Sequence, residues 1–206
     1  MHPFLEGLLA LVAPLQCPGC EEPIHCLGFC GTCASLVEPS TERGAAFVYG
    51  GPVADAIHRF KYDGRSELAN ALGALMREAA LRLEGDVDAV VPVPLHWRRR
   101  RARGYDQAAL LAKPVAQALG VPVRLRGLRR VRDTPSQVDL SHRERQRNVE
   151  GAFAPFRLHG ARRVLLIDDV RTTGATLDAA SRASKAGGAR EVHTLVLAAR
   201  FLDGAA

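Results

Sequence analysis

Two adjacent carboxylates and a hydroxyl-rich turn follow one apolar run of the chain. Residues 164–176 read VLLIDDVRTTGAT, in which Asp168 and Asp169 come directly after the apolar run. Such a run is typical of a buried strand, and the turn after it would open a helix whose first N–H groups are unsatisfied. Those N–H groups and the threonine hydroxyls are suited to binding phosphate. The candidate phosphate-binding residues are Arg171, Thr172, Thr173, Gly174, Ala175 and Thr176.

This pattern predicts a site for a sugar phosphate such as ribose 5-phosphate. The phosphate would lie in the turn, where Gly174 lets the backbone approach closely. The ribose hydroxyls would lie beside Asp168 and Asp169, because carboxylates accept hydrogen bonds from vicinal hydroxyls. The Gly-Lys-Ser/Thr ending of a Walker loop is missing, which excludes that class of nucleotide site. A strand end with a capping aspartate and a Thr-rich turn is the purely structural alternative.

All five cysteines lie within residues 17–33. They form two Cys-x-x-Cys pairs and one extra residue: Cys17 with Cys20, Cys30 with Cys33, and Cys26. Each pair can place two thiolates on one tetrahedral zinc ion, in a closed site that serves structure or recognition. Disulfides or free thiols are the alternatives, and Cys26 or His25 could act as a substitute ligand. Cysteines clustered in this way indicate a reducing cytoplasm rather than a secreted, disulfide-stapled fold.

The bulk composition suits one sizeable domain with a small appendage. The chain has 206 residues, of which 47% are hydrophobic, and a formal net charge of +6. The positive charge favours anionic partners, although solubility alone would also account for it. No apolar run is long enough for a membrane span. The first apolar stretch is short, is interrupted by Glu6 and follows no Lys or Arg, which favours an amphipathic helix ending near Pro14 over a signal peptide.

Apolar runs and amphipathic stretches alternate along the chain. Strands are predicted at residues 45–51, 88–95, 121–128, 162–170 and 191–200. Helices are predicted at residues 54–62 (opening near Pro52), 65–85 (capped by Gly85), 105–120 and 175–188, and loops at 96–104 and 129–153. The alternation predicts an α/β fold with a mostly parallel sheet flanked by helices. Residues 1–42 are expected to form a helix and a zinc ribbon, and residues 43–206 the main domain.

Residues 164–176 resemble the phosphoribosyl-pyrophosphate (PRPP) motif of type I phosphoribosyltransferases. FKYDGRSELA, VVPVPLHWRRRRARGYDQAALLA and TPSQVDLSHRERQRNVEGAF are similar, in order and style, to the ComF family of competence-associated proteins, and the resemblance covers nearly the whole chain. It implies a type I phosphoribosyltransferase fold with an N-terminal zinc-binding ribbon, and PRPP bound with Mg²⁺. The family pattern Arg-Gly-Phe-Asn-Gln reads RGYDQ at residues 103–107 here. Asp106 would therefore cap the following helix instead of contacting a phosphate.

The resemblance also implies which residues bind pyrophosphate. A loop after an earlier strand would hold it, and Arg103 and Gly104 are the predicted contacts because they adjoin a helix start. Lys61 would approach the same anion, with a snorkelling surface lysine as the alternative. Arg143 and Arg147 lie four residues apart on the long loop and would close over the pyrophosphate. A plain solvated loop is the alternative for these two.

Two classes of function follow from the resemblance. In the first, the protein is a phosphoribosyltransferase: a nucleophile displaces pyrophosphate from PRPP while Asp168 and Asp169 fix the ribose. In the second, it is a catalytically silent nucleic-acid-binding factor that handles single-stranded DNA or DNA-uptake proteins in natural transformation. Four consecutive arginines, residues 98–101, cannot all face one pocket and would be solvated or contact a nucleic-acid backbone. A purine or orotate salvage enzyme is the runner-up, and the cysteine-rich N-terminal segment argues against it.

Overall fold

The centre of the molecule is a four-stranded parallel sheet. The computed structural model describes residues 15–83, 85–132 and 149–200. Its strands are β1 (Leu15–Gln16), β2 (Pro23–Ile24), β3 (Ala45–Val48), β4 (Ala89–Pro92), β5 (Leu128–Arg130), β6 (Phe153–Pro155), β7 (Arg163–Arg171) and β8 (Glu191–Ala199). Strands β3, β8, β7 and β4 pair in that order, all parallel, whereas β1–β2 and β5–β6 are separate antiparallel pairs. The carboxyl ends of the four parallel strands therefore meet at one edge.

Helices cover both faces of this sheet. They are α1 (Gly31–Ala34), α2 (Gly51–Tyr62), α3 (Leu68–Leu81), α4 (Trp97–Arg103), α5 (Gln107–Leu119) and α6 (Ala175–Ala186). Successive side chains of a strand point to opposite faces. Leu165 and Ile167 of β7 belong to a buried cluster with α2, α3 and α5, whereas Val164 and Leu166 belong to one with α6 and the β5–β6 pair. The predicted parallel sheet with two covered faces is confirmed.

The strand predicted at residues 121–128 was wrong. Only Val123 joins the central sheet there, through a single parallel bridge to Val90. The chain then turns and forms β5, which pairs with β6 instead. Gly127 permits this course, because a Cβ there would lie 2.9 Å from Cγ1 of Val91. The isolated Gly in an otherwise alternating apolar pattern marks a position where neighbouring side chains pack closely against the backbone.

Two helix boundaries also differ from the sequence prediction. The arginine-rich segment at residues 96–104, predicted as a loop, forms α4. Gly104 ends this helix in the left-handed conformation, with φ of 82°, and its N–H donates to the Arg100 carbonyl. Helix α3 ends at Leu81 with Arg82 as its cap, before the glycine that was expected to cap it.

The cysteine-rich head, which contains β1, β2 and α1, packs against the start of α2. A Cβ on Gly19 would lie 2.8 Å from Cβ of Pro52 and 2.9 Å from Sγ of Cys33, so only glycine fits between them. The helix predicted before residue 14 lies outside the described residues. Within the ranges that the structure describes, no helix has both the length and the apolar character that crossing a bilayer requires.

Candidate functional site

A cavity of about 330 Å³ opens where the carboxyl ends of β4, β7 and β8 meet. This is the edge at which open parallel sheets bind their ligands. Threonine, tyrosine and apolar side chains line part of it. Seven of its lining residues are charged: Lys61, Arg99, Arg103, Arg130, Arg200, Asp168 and Asp169. The five basic groups outnumber the two acidic ones, so the cavity suits an anion that also carries hydrogen-bond donors.

Asp168 and Asp169 lie near the carboxyl end of β7, and Lys61 lies beside them. Oδ1 of Asp169 is 2.7 Å from Nζ of Lys61, and both side chains are largely buried. Oδ1 of Asp168 accepts a hydrogen bond from the backbone N–H of Asp169 at 2.9 Å. Lys61 reaches this pair because it lies in the last turn of α2, above the sheet edge. The fold thus brings Lys61 to an acidic pair that lies more than a hundred positions later in the sequence.

The charges of these groups shift one another's pKa. Burial and, to a smaller extent, the neighbouring charge of Asp169 raise the pKa of Asp168 to about 7, although the Asp169 N–H and Lys61 oppose the shift. Burial alone would lower the pKa of Lys61, but the carboxylates of Asp169 and Asp168 raise it above its ordinary value. Near neutral pH, Asp168 can therefore exchange a proton while Lys61 stays charged.

The turn after β7 has the geometry expected of a phosphate-binding loop. Gly174 is the N-cap of α6 and takes the left-handed conformation, with φ of 79°. Oγ1 of Thr173 is 3.5 Å from the N–H of Ala175, at the limit of a hydrogen bond. Thr172 and Thr176 line the cavity, on either side of this turn. The first backbone N–H groups of α6 thus lie next to the cavity, where they favour a negative charge.

Arg171 has a different environment from the rest of the turn. Its guanidinium donates to the backbone carbonyl of Arg43 at 3.2 Å and to the carboxylate of Glu42. Both acceptors belong to the segment just before β3. Arg171 is not among the described residues that line the cavity. A direct contact of its side chain with phosphate stays a prediction.

Helix α4 supplies two of the basic groups. Arg99 and Arg103 are four residues apart, so they share one face of the helix, and both line the cavity. The guanidinium of Arg103 lies 5.1 Å from the ring centroid of Tyr62 and donates to Oε1 of Gln107 at 3.2 Å. Gly104 contributes the left-handed end of the helix and does not line the cavity described here. Helical periodicity explains why only part of the arginine run faces the site.

Two further basic residues were missed by the sequence reasoning. Arg200 follows β8 directly, and its guanidinium lies 4.5 Å from the ring centroid of Tyr49. The rule that ligands bind beyond the carboxyl ends of parallel strands would have identified it, since the last strand was predicted correctly. Arg130 lies on β5 and lines the cavity from the side. Its position depends on the β5–β6 pair, which no local sequence pattern predicts.

Asp106 caps α5, as its replacement of the family's asparagine suggested. Its Oδ1 accepts from the N–H of Ala109 at 3.2 Å, and its Oδ2 accepts from the N–H of Leu95 at 3.1 Å. Burial raises the pKa of Asp106 above its ordinary value, although these two N–H groups oppose the shift. The residue therefore fixes the segment after β4 to the start of α5.

The four paired cysteines converge on one point of the head. Their Sγ atoms all lie within 4.8 Å of one another: Cys17, Cys20, Cys30 and Cys33. Thiolates bound to one tetrahedral zinc ion at 2.3 Å are about 3.8 Å apart, so this cluster fits the ion. Two backbone N–H groups donate to sulfur within the cluster, at 3.2 and 3.4 Å, as expected where thiolates are stabilised. All five cysteines are free, and Cys26 is exposed outside the cluster.

The predicted loop contacts with pyrophosphate cannot be placed in the same way. Arg143 and Arg147 lie outside the described residues. The segment that carries them leaves β5 and returns at β6, and Arg130 of β5 already lines the cavity. Closure of this segment over a ligand stays a prediction.

The chain is similar in sequence to several known proteins. The family described as "Phosphoribosyl transferase domain" matches residues 106–202. Competence protein F of Haemophilus influenzae is 31% identical, over 94% of this chain and 94% of its own length. The chain belongs to the ComF family. DNA utilization protein YhgH of Escherichia coli is 34% identical over 78% of this chain and 74% of its own.

As a ComF-family protein, the chain has a type I phosphoribosyltransferase fold and a cysteine-rich head that could form a zinc site. A solved structure of glutamine PRPP amidotransferase from Bacillus subtilis, complexed with ADP and GMP, is also similar. It is 23% identical with a TM-score of 0.47, and the match covers 68% of this chain and 30% of that enzyme.

Proposed function

We propose that this ComF-family protein binds PRPP with Mg²⁺ in the cavity at the carboxyl edge of the sheet. The observation that carries the proposal is the charge arrangement: five basic side chains surround one acidic pair next to a helix start. PRPP has the matching arrangement, since its phosphate and pyrophosphate flank a ribose with two free hydroxyls. A purely anionic ligand would be repelled by Asp168 and Asp169, and a neutral sugar would gain no charge attraction from the basic groups.

Each part of the site would contact one part of the ligand. The N–H groups at the start of α6, with Thr172 and Thr176, would bind the 5-phosphate. Asp168 and Asp169 would accept hydrogen bonds from the ribose hydroxyls. Arg103, together with Lys61 and the other basic side chains, would bind the pyrophosphate, because guanidinium groups pair with phosphate oxygens in a bidentate way.

The same arrangement would support transfer of the phosphoribosyl group. The bond from the anomeric carbon to pyrophosphate breaks, a bond to a nucleophile forms, and pyrophosphate leaves with the bonding electrons. The acidic pair offsets the positive charge that develops on the ribose, and the basic groups stabilise the departing anion. Mg²⁺ bound with the pyrophosphate would add charge neutralisation, and the carboxylate oxygens of Asp168 and Asp169 are ligands of the type it prefers.

Isothermal titration calorimetry with PRPP and Mg²⁺ tests the binding. The wild type is expected to bind, and Asp168→Asn combined with Asp169→Asn is expected to lose affinity by at least about tenfold, the value of one well-placed charged hydrogen bond. Asp55→Asn, an exposed aspartate on α2, is the matched control. Unchanged affinity in a folded double variant would disprove the assignment. Pyrophosphate release across a panel of purines, orotate and amines then tests turnover and the salvage alternative.

For the head, we propose that the four clustered cysteines hold one structural zinc ion. Their convergence supports this, and a closed thiolate set leaves no position for a substrate. The purified protein should contain about one zinc per chain, and Cys20→Ser should lower that ratio, whereas Cys26→Ser should not. Equal zinc content in both variants would contradict the assignment.

Single-stranded nucleic acid is a second candidate ligand, on surfaces outside the cavity. Phe156 is 48% exposed, and the guanidiniums of Arg129 and Arg157 lie 5.7 and 5.0 Å from its ring centroid. Trp97, 61% exposed, has the Arg98 guanidinium at 5.4 Å. Exposed rings next to arginines can stack unpaired bases and bind the backbone.

Fluorescence anisotropy with a labelled single-stranded oligonucleotide tests this candidate at two salt concentrations. Binding should weaken steeply with salt, because phosphates are neutralised, and Phe156→Leu should weaken it further by losing base stacking. Arg77→Gln, an exposed arginine on α3, is the control. No binding at low salt would refute a direct role in handling DNA, independently of the PRPP result.

A further inference from the structure

Helix α2 lies between the cysteine cluster and the anion cavity. Lys61, in its last turn, contacts Asp169 at 2.7 Å. Arg59 comes two residues earlier and contacts the head. Because each residue of an α-helix turns by about 100°, two residues at this spacing point to nearly opposite sides. One side of the last turn of α2 therefore contacts the head, and the opposite side contacts the anion cavity.

Arg59 binds the loop inside the first cysteine pair. Its Nη1 donates to the carbonyl of Pro18 at 3.1 Å and to the carbonyl of Gly19 at 2.5 Å, and its Nε lies 3.4 Å from the carboxylate of Glu21. The two carbonyls belong to the residues between Cys17 and Cys20. Their positions are set by the conformation of the loop that joins the two cysteines. A guanidinium that spans two carbonyls and a carboxylate is sensitive to their separation.

Contacts at both ends of α2 make this connection rigid. At the start of the helix, Gly19 packs between Pro52 and Cys33 with no room for a Cβ. After its end, Arg65 pairs with Glu21 and also binds the side chain of Gln16. The head thus contacts α2 at its first turn, in its last turn and just beyond it. A loosened head would let the end of the helix move relative to the sheet.

We propose that Arg59 is a positioning residue that couples the cysteine cluster to Lys61. While the cluster is closed, the carbonyls of its first pair hold Arg59, Arg59 holds the last turn of α2, and Lys61 stays beside Asp169. Opening the cluster releases Lys61 and weakens the anion site. The consequence for ligand affinity rests on the proposed PRPP site, but the coupling to Lys61 does not depend on it.

The chain has only three lysines, so the position of Lys61 can be followed directly. The zinc-loaded full-length protein is treated briefly with acetic anhydride, and mass spectrometry gives the acylation rate of each lysine. Lys113 and Lys185 are exposed and serve as internal references. In Arg59→Gln the rate at Lys61 is expected to rise about fivefold, the lower end of typical coupling between sites, while the reference rates stay constant. Arg77→Gln should change none of the three.

Zinc removal provides the second arm. A chelator should raise the Lys61 rate in the wild type to the level of Arg59→Gln, and should add little in the variant, because both changes break the same connection. Circular dichroism checks that each protein is folded. Should Arg59→Gln not fold, Glu21→Gln removes one of its partners from the head side and is expected to give a smaller rise.

Ligand binding separates this inference from the proposed function. If the wild type binds PRPP, Arg59→Gln should weaken that binding about fivefold, and saturating PRPP should tighten the equilibrium affinity for zinc by the same factor, since coupling of binding free energies is reciprocal. A wild type that ignores PRPP would refute the proposed function, while a faster Lys61 reaction in Arg59→Gln would still support the coupling. Equal Lys61 rates in folded wild type, Arg59→Gln and zinc-stripped protein would overturn it.

Discussion

Replacing Lys61 with methionine removes the cation of the best-defined ion pair in the site while keeping most of the side-chain volume. Lys61 and Asp169 have side chains that are 18% and 12% exposed, and their charged atoms are 2.7 Å apart. Breaking a fully buried pair costs about 3–5 kcal/mol and breaking a surface pair about 0–1 kcal/mol. This pair lies between the two cases, so we expect a loss of about 2 kcal/mol in the free energy of unfolding at pH 8.

The loss should depend on pH, because the acidic pair retains its own repulsion. The pKa of Asp168 is raised to about 7 in the folded protein, against an ordinary 3.8. The folded state therefore keeps a proton that the unfolded state releases, and stability falls as the pH rises from about 4 to 7. Without Lys61, which opposes this shift, the pKa of Asp168 rises further and the fall in stability continues to a higher pH. The difference between variant and wild type should thus be larger at pH 8 than at pH 5.

Thermal unfolding measures both effects. For a chain of this length, about 2 kcal/mol corresponds to a Tm decrease of about 4–8 °C at pH 8, and a smaller decrease is expected at pH 5. Lys113→Met, an exposed lysine on α5, is the matched control and should leave Tm unchanged. Equal Tm values for the two variants, or a Lys61→Met deficit that does not vary between pH 5 and pH 8, would refute the reasoning.

Three further changes probe the supports of the site. Gly73→Ala should lower the free energy of unfolding by about 1–3 kcal/mol, because the added Cβ would lie 2.1 Å from Cγ of Pro114. Gly31→Ala should leave it unchanged, because no atom lies within 4 Å of the added Cβ. Chemical denaturation of both variants measures the difference. Asp106→Ala should lower the free energy of unfolding by about 1–2 kcal/mol, because α5 loses its N-cap. Asp55→Ala is the control, and equal stability of the two variants would argue against the cap. Zinc removal should unfold the head while the sheet persists, as followed by limited proteolysis and circular dichroism.

The sequence predicts most of the central fold because its signals are local and mutually consistent. The strand at residues 162–170 and the helix after it are confirmed as β7 and α6, and the alternation of apolar runs predicts the parallel sheet. The acidic pair could be placed from sequence because it follows the buried part of a strand, and the carboxyl end of a parallel strand faces the ligand edge. The paired cysteines were equally informative, since ligand spacing alone predicts convergence.

Other features could not be predicted, because they depend on contacts between distant segments. Val123 and Arg130 lie in one alternating apolar and basic stretch, yet the first bridges to the central sheet and the second belongs to a separate pair. Nothing local distinguishes those two outcomes. The contact of Arg171 with Glu42 joins positions 129 residues apart, and Arg171 is not among the described residues that line the cavity. Propensity and periodicity carry no information on such a pairing.

The cavity and the exposed basic surfaces select different anions. A volume of about 330 Å³ is at the lower end for a small-molecule site and cannot enclose several nucleotides. A DNA strand has no 2′-hydroxyl, and its 3′-oxygens are esterified, so it offers Asp168 and Asp169 no pair of donors. At pH 8 both carboxylates would repel its phosphates, whereas a free ribose with phosphates at its two ends would satisfy both kinds of group. The acidic pair should therefore favour PRPP over nucleic acid in the cavity and leave single-stranded DNA to Phe156 and Trp97 outside it.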